Sequence, residues 1–341
     1  EVSWKKEYPM ESRYKVGVVV SILLLLTLGI TIPLLFPSYP SSVELTMLGQ
    51  IGTGGETWDV EVVEDIAYVL DSNDGLVLIN VSDPANPVRL SSYDGGGGPM
   101  ALDVVEEYVF VADQFDGLEI VDVSDSTNPI EIGSYPGSEA AYDVQVIGDL
   151  AYLADWNDGF VILNVSDPTN PTYLARYQTT GSCIFGRVVG QLAYIIDHQS
   201  YSSGLRILNI SDPLHPNQVG THMPSGVILW NPVVVGDYLY CGNHGDGGGE
   251  LRIIDVSNPS NITQIGTFVN CGTVFAIWIV GNMAYLADYQ QGVIIVDISD
   301  PSSPTIDGRY SNGGHASNIA IADSIVYLAS RADGLRIFQI A

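Results

Sequence analysis

Lysine is absent from this chain beyond residue 15, and eight arginines are the only strongly basic residues after that point. Over 341 residues, 12 Lys and Arg stand against 40 Asp and Glu, which gives a formal net charge of −28. A field of this sign repels the phosphates of nucleic acids and of anionic lipids. The composition therefore predicts no nucleic-acid partner. The acidic surface either attracts cations and basic partners or is a solvated coat that serves solubility.

Residues that commonly carry catalysis or bind metals are also few. The five histidines and three cysteines follow no Cys-x-x-Cys or His-x-x-x-His spacing. The chain contains no phosphate-binding glycine loop, nucleophile elbow or haem motif. We therefore predict that the protein is not an enzyme and has no catalytic residues and no required cofactor. Cys241 and Cys271 are candidates for a disulfide if the chain is exported, since both are expected near one face of the fold.

Long hydrophobic runs are absent except for one, at residues 16–36. These 21 residues contain no charged side chain, and about 20 apolar residues suffice to cross a bilayer as a helix. Four basic residues precede the run and the next is Arg89, so the positive-inside rule puts the N-terminus in the cytoplasm. We predict a cytoplasmic tail (1–15), a transmembrane helix (16–36), a linker (37–42) and an extracellular domain (43–341) of a single-pass cell-membrane protein. A cleaved signal peptide is the alternative, although such peptides have shorter apolar cores of ~7–15 residues.

A repeat of 42 to 46 residues occupies the rest of the chain. Its most constant phrase is Gly-Leu-Val-Leu-Ile-Asn-Val-Ser-Asp-Pro at residues 75–84. The hydrophobic residue that opens the phrase recurs at Leu76, Leu118, Phe160, Leu205, Leu251, Val293 and Leu335. Each copy holds four runs with strand propensity, separated by hairpin turns and by Ser-Asp-Pro breaks. A repeat of this length built only from strands is typical of a propeller blade.

The number of blades follows from counting these runs. Seven second runs and seven third runs are present, but no fourth run follows the last repeat. Residues 43–51 match the pattern of a fourth run and precede the first repeat. We therefore predict an all-β, seven-bladed β-propeller with four antiparallel strands per blade, in which the strand at 43–51 completes the last blade. An open ring would leave two further exposed sheet edges, and closure in this way avoids them.

The repeated phrases also carry a family resemblance. Gly-Leu-Glu-Ile-Val-Asp-Val-Ser-Asp at 117–125 and Ala-Tyr-Leu-Ala-Asp at 151–155 resemble the LVIVD repeat, a propeller-forming module of bacterial and archaeal surface proteins. The resemblance spans residues 43–341. It implies a β-propeller that is on the cell surface or secreted, and it supplies no catalytic residues. Ser126 and Asn258 depart from the proline and aspartate of the motif, at turns only.

Candidate binding residues lie in the turns between second and third strands and in the loops that join blades, which a propeller brings to one face. Carboxylate oxygens at such a face suit Ca²⁺, and aromatic side chains suit sugar rings or cationic groups. Tight turns also favour Asp, Asn and Gly whatever the function, so the acidic residues have two interpretations. The candidates are Asp71, Asp113, Asp155, Trp156, Asp197, His198, Trp230, His244, Asp288 and Tyr289. The inter-blade loops add the rings of Trp58, Tyr142, Phe185, Phe275 and His315.

The first strand of each repeat alternates with a period of two, and its polar side is expected to line the central channel. The expected lining residues are Asp59, Glu61, Asp103, Asp143, Gln145, Arg187, Asn231 and Asn318. Such a lining either holds water or an ion, or forms a solvated plug.

Three functions remain open at this point. The first is a membrane-anchored, non-catalytic binding module whose partner is a surface protein or a glycan. The second is a structural subunit of a surface layer or filament, which requires self-association. The third is a metal-dependent hydrolase or lyase that uses the acidic loop residues. The absence of catalytic motifs favours the first, although a fold alone does not determine a function.

Overall fold

The computed structural model describes residues 43–137, 140–199, 202–243, 249–311 and 315–341. No helix in these residues has the length and apolarity needed to cross a membrane. The predicted tail, transmembrane helix and linker lie outside the described residues, as does His244. The described residues all belong to one compact unit.

Seven four-stranded antiparallel sheets contain the described strands, which confirms the predicted seven-bladed propeller. The first strands of the sheets contact one another in a closed circle. These inner strands are β2 (Thr57–Val63), β6 (Pro99–Val105), β10 (Ala141–Ile147), β14 (Ser182–Val189), β18 (Leu229–Val235), β22 (Val274–Val280) and β26 (Asn318–Ala322). The second strands are β3 (Ile66–Asp71), β7 (Tyr108–Asp113), β11 (Leu150–Asp155), β15 (Leu192–Gln199), β19 (Tyr238–Asn243), β23 (Met283–Asp288) and β27 (Ile325–Ala329).

The outer half of each blade follows the repeated phrase. The third strands are β4 (Gly75–Asn80), β8 (Gly117–Asp122), β12 (Gly159–Asn164), β16 (Ser202–Asn209), β20 (Gly249–Asp255), β24 (Gly292–Asp297) and β28 (Leu335–Ile340). The fourth strands are β5 (Val88–Tyr93), β9 (Ile130–Tyr135), β13 (Thr172–Tyr177), β17 (Asn217–His222), β21 (Thr263–Cys271), β25 (Thr305–Tyr310) and β1 (Leu45–Ile51).

The two ends of the described chain meet in the seventh blade. Strand β1 pairs antiparallel with β28, from Leu45 opposite Ile340 to Ile51 opposite Leu335. The predicted closure by residues 43–51 is therefore confirmed. The first and last described strands therefore share one ladder, which holds the two ends of the described chain in the same blade.

Each pair of neighbouring blades shares a hydrophobic core. Between the first and second blades, Leu70 and Leu78 belong to the same buried cluster as Val109 and Val121. Similar clusters fill the other interfaces, including the one between the seventh blade and the first. Both faces of each sheet are thus covered, which explains why a third strand such as Gly75–Asn80 is continuously apolar.

Close packing between blades depends on small residues in the fourth strands. At Gly133 a Cβ would overlap the carbonyl oxygen of Pro168 in the next blade. The equivalent residue of the first blade is Ser91, whose hydroxyl donates to the carbonyl of Ser126 at 2.6 Å. The Ser-Asp-Pro segment of one blade therefore lies directly on the fourth strand of the blade before it.

The predicted disulfide between Cys241 and Cys271 is wrong, because all three cysteines are free and buried. Cys241 belongs to β19 and Cys271 ends β21 of the same sheet, with β20 between them. Strands two positions apart are separated by about 9–10 Å. A disulfide tolerates a Cα separation of at most ~7 Å, so these two residues cannot be bridged.

Candidate functional site

Aromatic side chains contact one another around the loop face of the propeller. Trp230 packs edge to face against Phe185 and Phe275, with ring centroids 4.9 and 6.0 Å apart. Phe275 contacts Tyr289 at 5.5 Å, and Tyr289 stacks on His315 at 4.9 Å. These five rings come from consecutive blades and form one continuous arc.

A second, shorter arc lies in the third and fourth blades. The ring of Tyr142 is 5.1 Å from that of Trp156, which is 6.1 Å from His198. Trp156 is 37% exposed, so part of its ring faces solvent. The two arcs and Trp58 are called the aromatic collar below, and its members are Trp58, Tyr142, Trp156, Phe185, His198, Trp230, Phe275, Tyr289 and His315.

Local backbone irregularities place several of these rings. The ladder between the first and second strands shifts register at Trp58, Tyr142 and Phe275, each of which is the extra residue of a β-bulge. A bulge redirects a side chain away from the regular alternation of a strand. The bulges of the first, third and sixth blades therefore each present one aromatic residue at the loop face.

Arg331 joins the collar across the closure of the ring. Its guanidinium carbon lies 3.9 Å from the ring centroid of Trp58 and 5.4 Å from that of Tyr289. Its Nη1 also donates to Glu56 at 2.9 Å. A cation over aromatic faces is a favourable contact. Arg331 was not among the residues predicted from the sequence. It is nonetheless the one Arg or Lys in the seven turns between second and third strands, two of which contain a histidine.

The predicted loop-face aspartates lie inside the turns rather than on the surface. Asp71 accepts from the backbone N–H groups of Asn73 and Asp74 on Oδ1, at 2.9 and 3.1 Å. On Oδ2 it accepts from the Thr53 hydroxyl and the Gly55 N–H, at 2.5 and 2.9 Å. The equivalent Asp113, Asp155, Asp197 and Asp288 are buried as well. Four of these carboxylates also accept from a backbone N–H of the preceding inter-blade loop and so tie it to the turn. They are those of Asp71, Asp113, Asp197 and Asp288, and their role is that of turn residues.

Polar residues of the inner strands bind the next blade. Asp59 accepts from the backbone N–H of Leu102 at 2.9 Å, and Glu61 accepts from that of Val104 at 2.9 Å. The same contact recurs at Asp103 with Val146, Asp143 with Gly186, and Gln145 with Val188. Asn231 donates to the carbonyl of Phe275, and Asn318 donates to Asp59. Most of the expected channel-lining residues thus hold neighbouring blades together through hydrogen bonds, and these contacts are called inter-blade clasps below. The sequence did not predict this role.

The negative charges of the inner-strand carboxylates are only partly neutralised by a neighbouring cation. Arg187 pairs with Asp143 at 2.6 Å. Burial, and to a lesser degree the charge of Asp143, raises the pKa of Asp59 to about 6, although hydrogen bonds from Leu102 and Val60 act in the opposite direction. Asp59 is therefore a buried carboxyl group that changes charge in the mildly acidic range.

The described residues contain no group of three or more His, Cys, Asp or Glu side chains arranged to hold a metal ion. Among the candidate residues predicted from the sequence, those of the collar are brought together by the fold on an accessible face. The aspartates are spread over separate turns, and the inner-strand residues are engaged with neighbouring blades.

Comparisons with known proteins agree with this architecture. The family model of the LVIVD repeat matches residues 54–95, 96–136, 139–179, 187–223, 230–269 and 271–312, which is more than half of the chain. No curated protein matches the chain. The six matched segments fall in the first six blades.

Two solved structures resemble the fold at low sequence identity. The WD40 beta propeller domain of Doa1 has a TM-score of 0.68 at 11% identity, over 87% of this chain and 97% of that one. The computationally designed Ika8 protein has a TM-score of 0.63 at 8% identity, over 86% of this chain and 99% of that one. Sequence identities this low are evidence of a shared fold only. The repeat match and the blade geometry together assign this chain to the LVIVD repeat family.

Proposed function

We propose that the protein is a membrane-anchored, non-catalytic binding module of the cell surface, and that its partner docks on the aromatic collar. The partner that we favour is a surface protein with a basic or aromatic segment. The observation that carries the proposal is the collar itself, in which rings from neighbouring blades contact each other while remaining partly exposed.

The collar has the features of a binding hot spot. Aromatic and arginine side chains supply most of the energy at protein interfaces, particularly where their neighbours already hold them in place. Here Trp230 is fixed by rings on both sides, and Arg331 is fixed by Trp58 and Glu56. Little side-chain entropy would be lost when a partner binds to groups that are already ordered.

The charge of the propeller supports a basic partner. Residues 43–341 contain eight arginines against 37 Asp and Glu. Such an imbalance attracts positively charged surfaces and accelerates their association at low ionic strength. A basic segment that reaches the collar would also find aromatic faces for its cationic groups.

The membrane-anchoring part of the proposal rests on the uncharged run at residues 16–36. Its length suits a bilayer, and basic residues occur only on its N-terminal side within the first 88 residues. This arrangement would leave the propeller outside the cell, as in the bacterial and archaeal surface proteins whose repeats it resembles.

A crosslinking pull-down from envelope extract with residues 43–341 tests the proposal. The double variant Trp230→Ala with Phe275→Ala is expected to reduce capture of the main partner at least tenfold. Phe115→Ala is the matched control, because Phe115 is 71% exposed on the same face but lies outside the collar. Equal capture by all three proteins, each shown to be folded, would contradict the proposal. Capture lost only after glycosidase treatment of the extract would identify a glycan instead.

A structural role is the second candidate, and a specific feature favours it. The fourth strands are the open edges of the sheets. Val88 and Ile130, at the first position of their strands, and Ile306, at the second, are 57, 54 and 44% exposed. Apolar residues on an open edge promote edge-to-edge pairing. Sedimentation of the wild type should then show self-association that Val88→Lys with Ile130→Lys abolishes, whereas a monodisperse wild type at high concentration would exclude this role.

A further inference from the structure

Six of the eight propeller arginines make the same kind of contact. Each contacts a residue in or beside the turn between the second and third strands of its own blade. They are Arg89, Arg176, Arg206, Arg252, Arg309 and Arg336, one in every blade except the second. None of residues 90–175 is Lys, Arg or His. The second blade therefore has no cation of its own.

The fourth blade illustrates what such an arginine does. Arg206 lies opposite Ile195 across the ladder of β15 and β16, and two positions further Asp197 lies opposite Gly204. Their side chains are diagonal neighbours on one face of the sheet. Nε of Arg206 donates to Oδ2 of Asp197 at 2.6 Å, and Nη2 donates to the Thr180 hydroxyl at 2.6 Å. The arginine thereby neutralises the buried carboxylate of the turn.

In the second blade a glutamate takes the place of this arginine. Glu119 lies opposite Val111, and Asp113 lies opposite Gly117, which is the same register as in the fourth blade. Glu119 is only 6% exposed. It forms no hydrogen bond and no ion pair with any residue that the structure describes. Two acidic side chains are thus placed together where the fourth blade has an acid and a base.

The oxygen atoms of this pair have capacity for a further ligand. Asp113 accepts three backbone hydrogen bonds, all on Oδ1, from Gly98, Phe115 and Asp116. No described donor reaches its Oδ2. The second blade has no Lys, Arg or His, so no cation of its own neutralises this pair of carboxylates.

A cavity lies beside these carboxylates, between the first and second blades. Glu119, Asp113, Asp71 and Asp94 line it, together with the glycines that follow Asp94. A Cβ at Gly95 would overlap the Glu119 carboxylate, so the glycine loop lies directly against it. The space that remains suits about one water-sized group, which is too little for the side chain of a partner's arginine.

We propose that this cavity is a binding site for one small hard cation of the Ca²⁺ type, with carboxylate ligands from Glu119 and Asp113. Four carboxylate side chains at one cavity, with no Lys, Arg or His among its lining residues, suit such an ion. Backbone oxygens of residues 94–97 and water would complete the shell, because two carboxylates supply at most four oxygens. We expect weak affinity, about 10⁻⁴–10⁻³ M, as in other extracellular calcium modules. The cation would have the role that Arg206 has in the fourth blade.

Calcium titration of the full chain in detergent micelles tests this site. We expect a single saturable site by calorimetry and a rise in Tm of about 2–4 °C at 10 mM CaCl₂. Glu119→Gln should weaken binding at least tenfold and remove the rise in Tm. Glu107→Gln is the matched control, since Glu107 is an exposed acid in the first-to-second strand turn of the same blade. It should behave like the wild type.

A second variant keeps the test decisive if Glu119→Gln does not fold. Glu119→Arg copies the arrangement of the fourth blade, so it should have a higher Tm without calcium and no response to calcium. The proposal is overturned if the wild type shows no saturable binding or if Glu119→Gln binds as well as the wild type. It is also overturned if NaCl at equal ionic strength raises the Tm equally, since that would indicate general screening.

Discussion

The guanidinium carbon of Arg331, in the last turn of the seventh blade, lies 3.9 Å from the ring centroid of Trp58 in the first blade. The backbone joins the same two blades, because the N–H of Thr57 donates to the carbonyl of Arg331 at 3.2 Å. The seventh blade contains both ends of the described chain, so this contact reinforces the interface beside the closure of the ring. It also fixes one side of the aromatic collar.

Replacing Arg331 with Gln should therefore lower stability. A cation–π contact contributes ~0.5–2 kcal/mol, and the ion pair with Glu56 adds at most about 1 kcal/mol because Glu56 is exposed. We expect a decrease in Tm of a few degrees, measured by calorimetry. Arg176→Gln is the control, since its ion pair with Asp158 is partly exposed and lies outside the collar. Equal effects of the two substitutions would contradict the special role of Arg331.

Loss of an inter-blade clasp should cost more than loss of a surface carboxylate. Asp143 is 2% exposed and accepts from both Gly186 and Arg187. Asp143→Ala would leave a partly buried cation and a buried N–H without their partner, at a cost of about 3 kcal/mol in the free energy of unfolding. Urea denaturation measures this, with Asp149→Ala in an exposed turn as the control. A difference below about 1 kcal/mol between the variants would exclude a clasp function for Asp143.

Asp59 should make stability depend on pH. Its pKa is raised from 3.8 to about 6 in the folded protein, so the folded state binds more protons than the unfolded state in that window. The contribution of Asp59 to the free energy of unfolding is therefore largest below pH 4 and decreases as the pH rises to 6. The curve for Asp59→Asn, measured by denaturation at each pH, should lack this decrease. Identical slopes for the two proteins between pH 4 and 6 would contradict it.

The sequence predicted the fold far better than the site. Repeat length, turn residues and the unpaired run at 43–51 determine blade number and closure, because each is a local pattern. The inner-strand acids were recognised as a set, but their clasp role depends on the offset between neighbouring blades, which no local pattern encodes. Glu119 was overlooked because it occupies one position of an otherwise apolar strand, and its surroundings become visible only when blades are packed together.

The cysteines should be unreactive while the protein is folded. Cys183, Cys241 and Cys271 are buried, and burial raises the pKa of Cys241 and of Cys271 to about 12. Since the thiolate is the reactive form, alkylation by iodoacetamide should be negligible under native conditions and reach three groups in guanidinium. Mass spectrometry counts the added groups. Fewer than three in guanidinium without reductant would indicate a disulfide.

The packing of fourth strands against the next blade gives the sharpest stability test. At Gly133 a Cβ would overlap the backbone oxygen of Pro168, and a backbone atom cannot rotate away as a flexible side chain can. Gly133→Ala should therefore destabilise the propeller by about 1–3 kcal/mol, the usual range for overpacking. At Gly52 a Cβ would meet no atom within 4 Å, so Gly52→Ala should be neutral or slightly stabilising through lower entropy of the unfolded chain. Urea denaturation compares the two, and equal stabilities would mean that the blades can separate without cost at this contact.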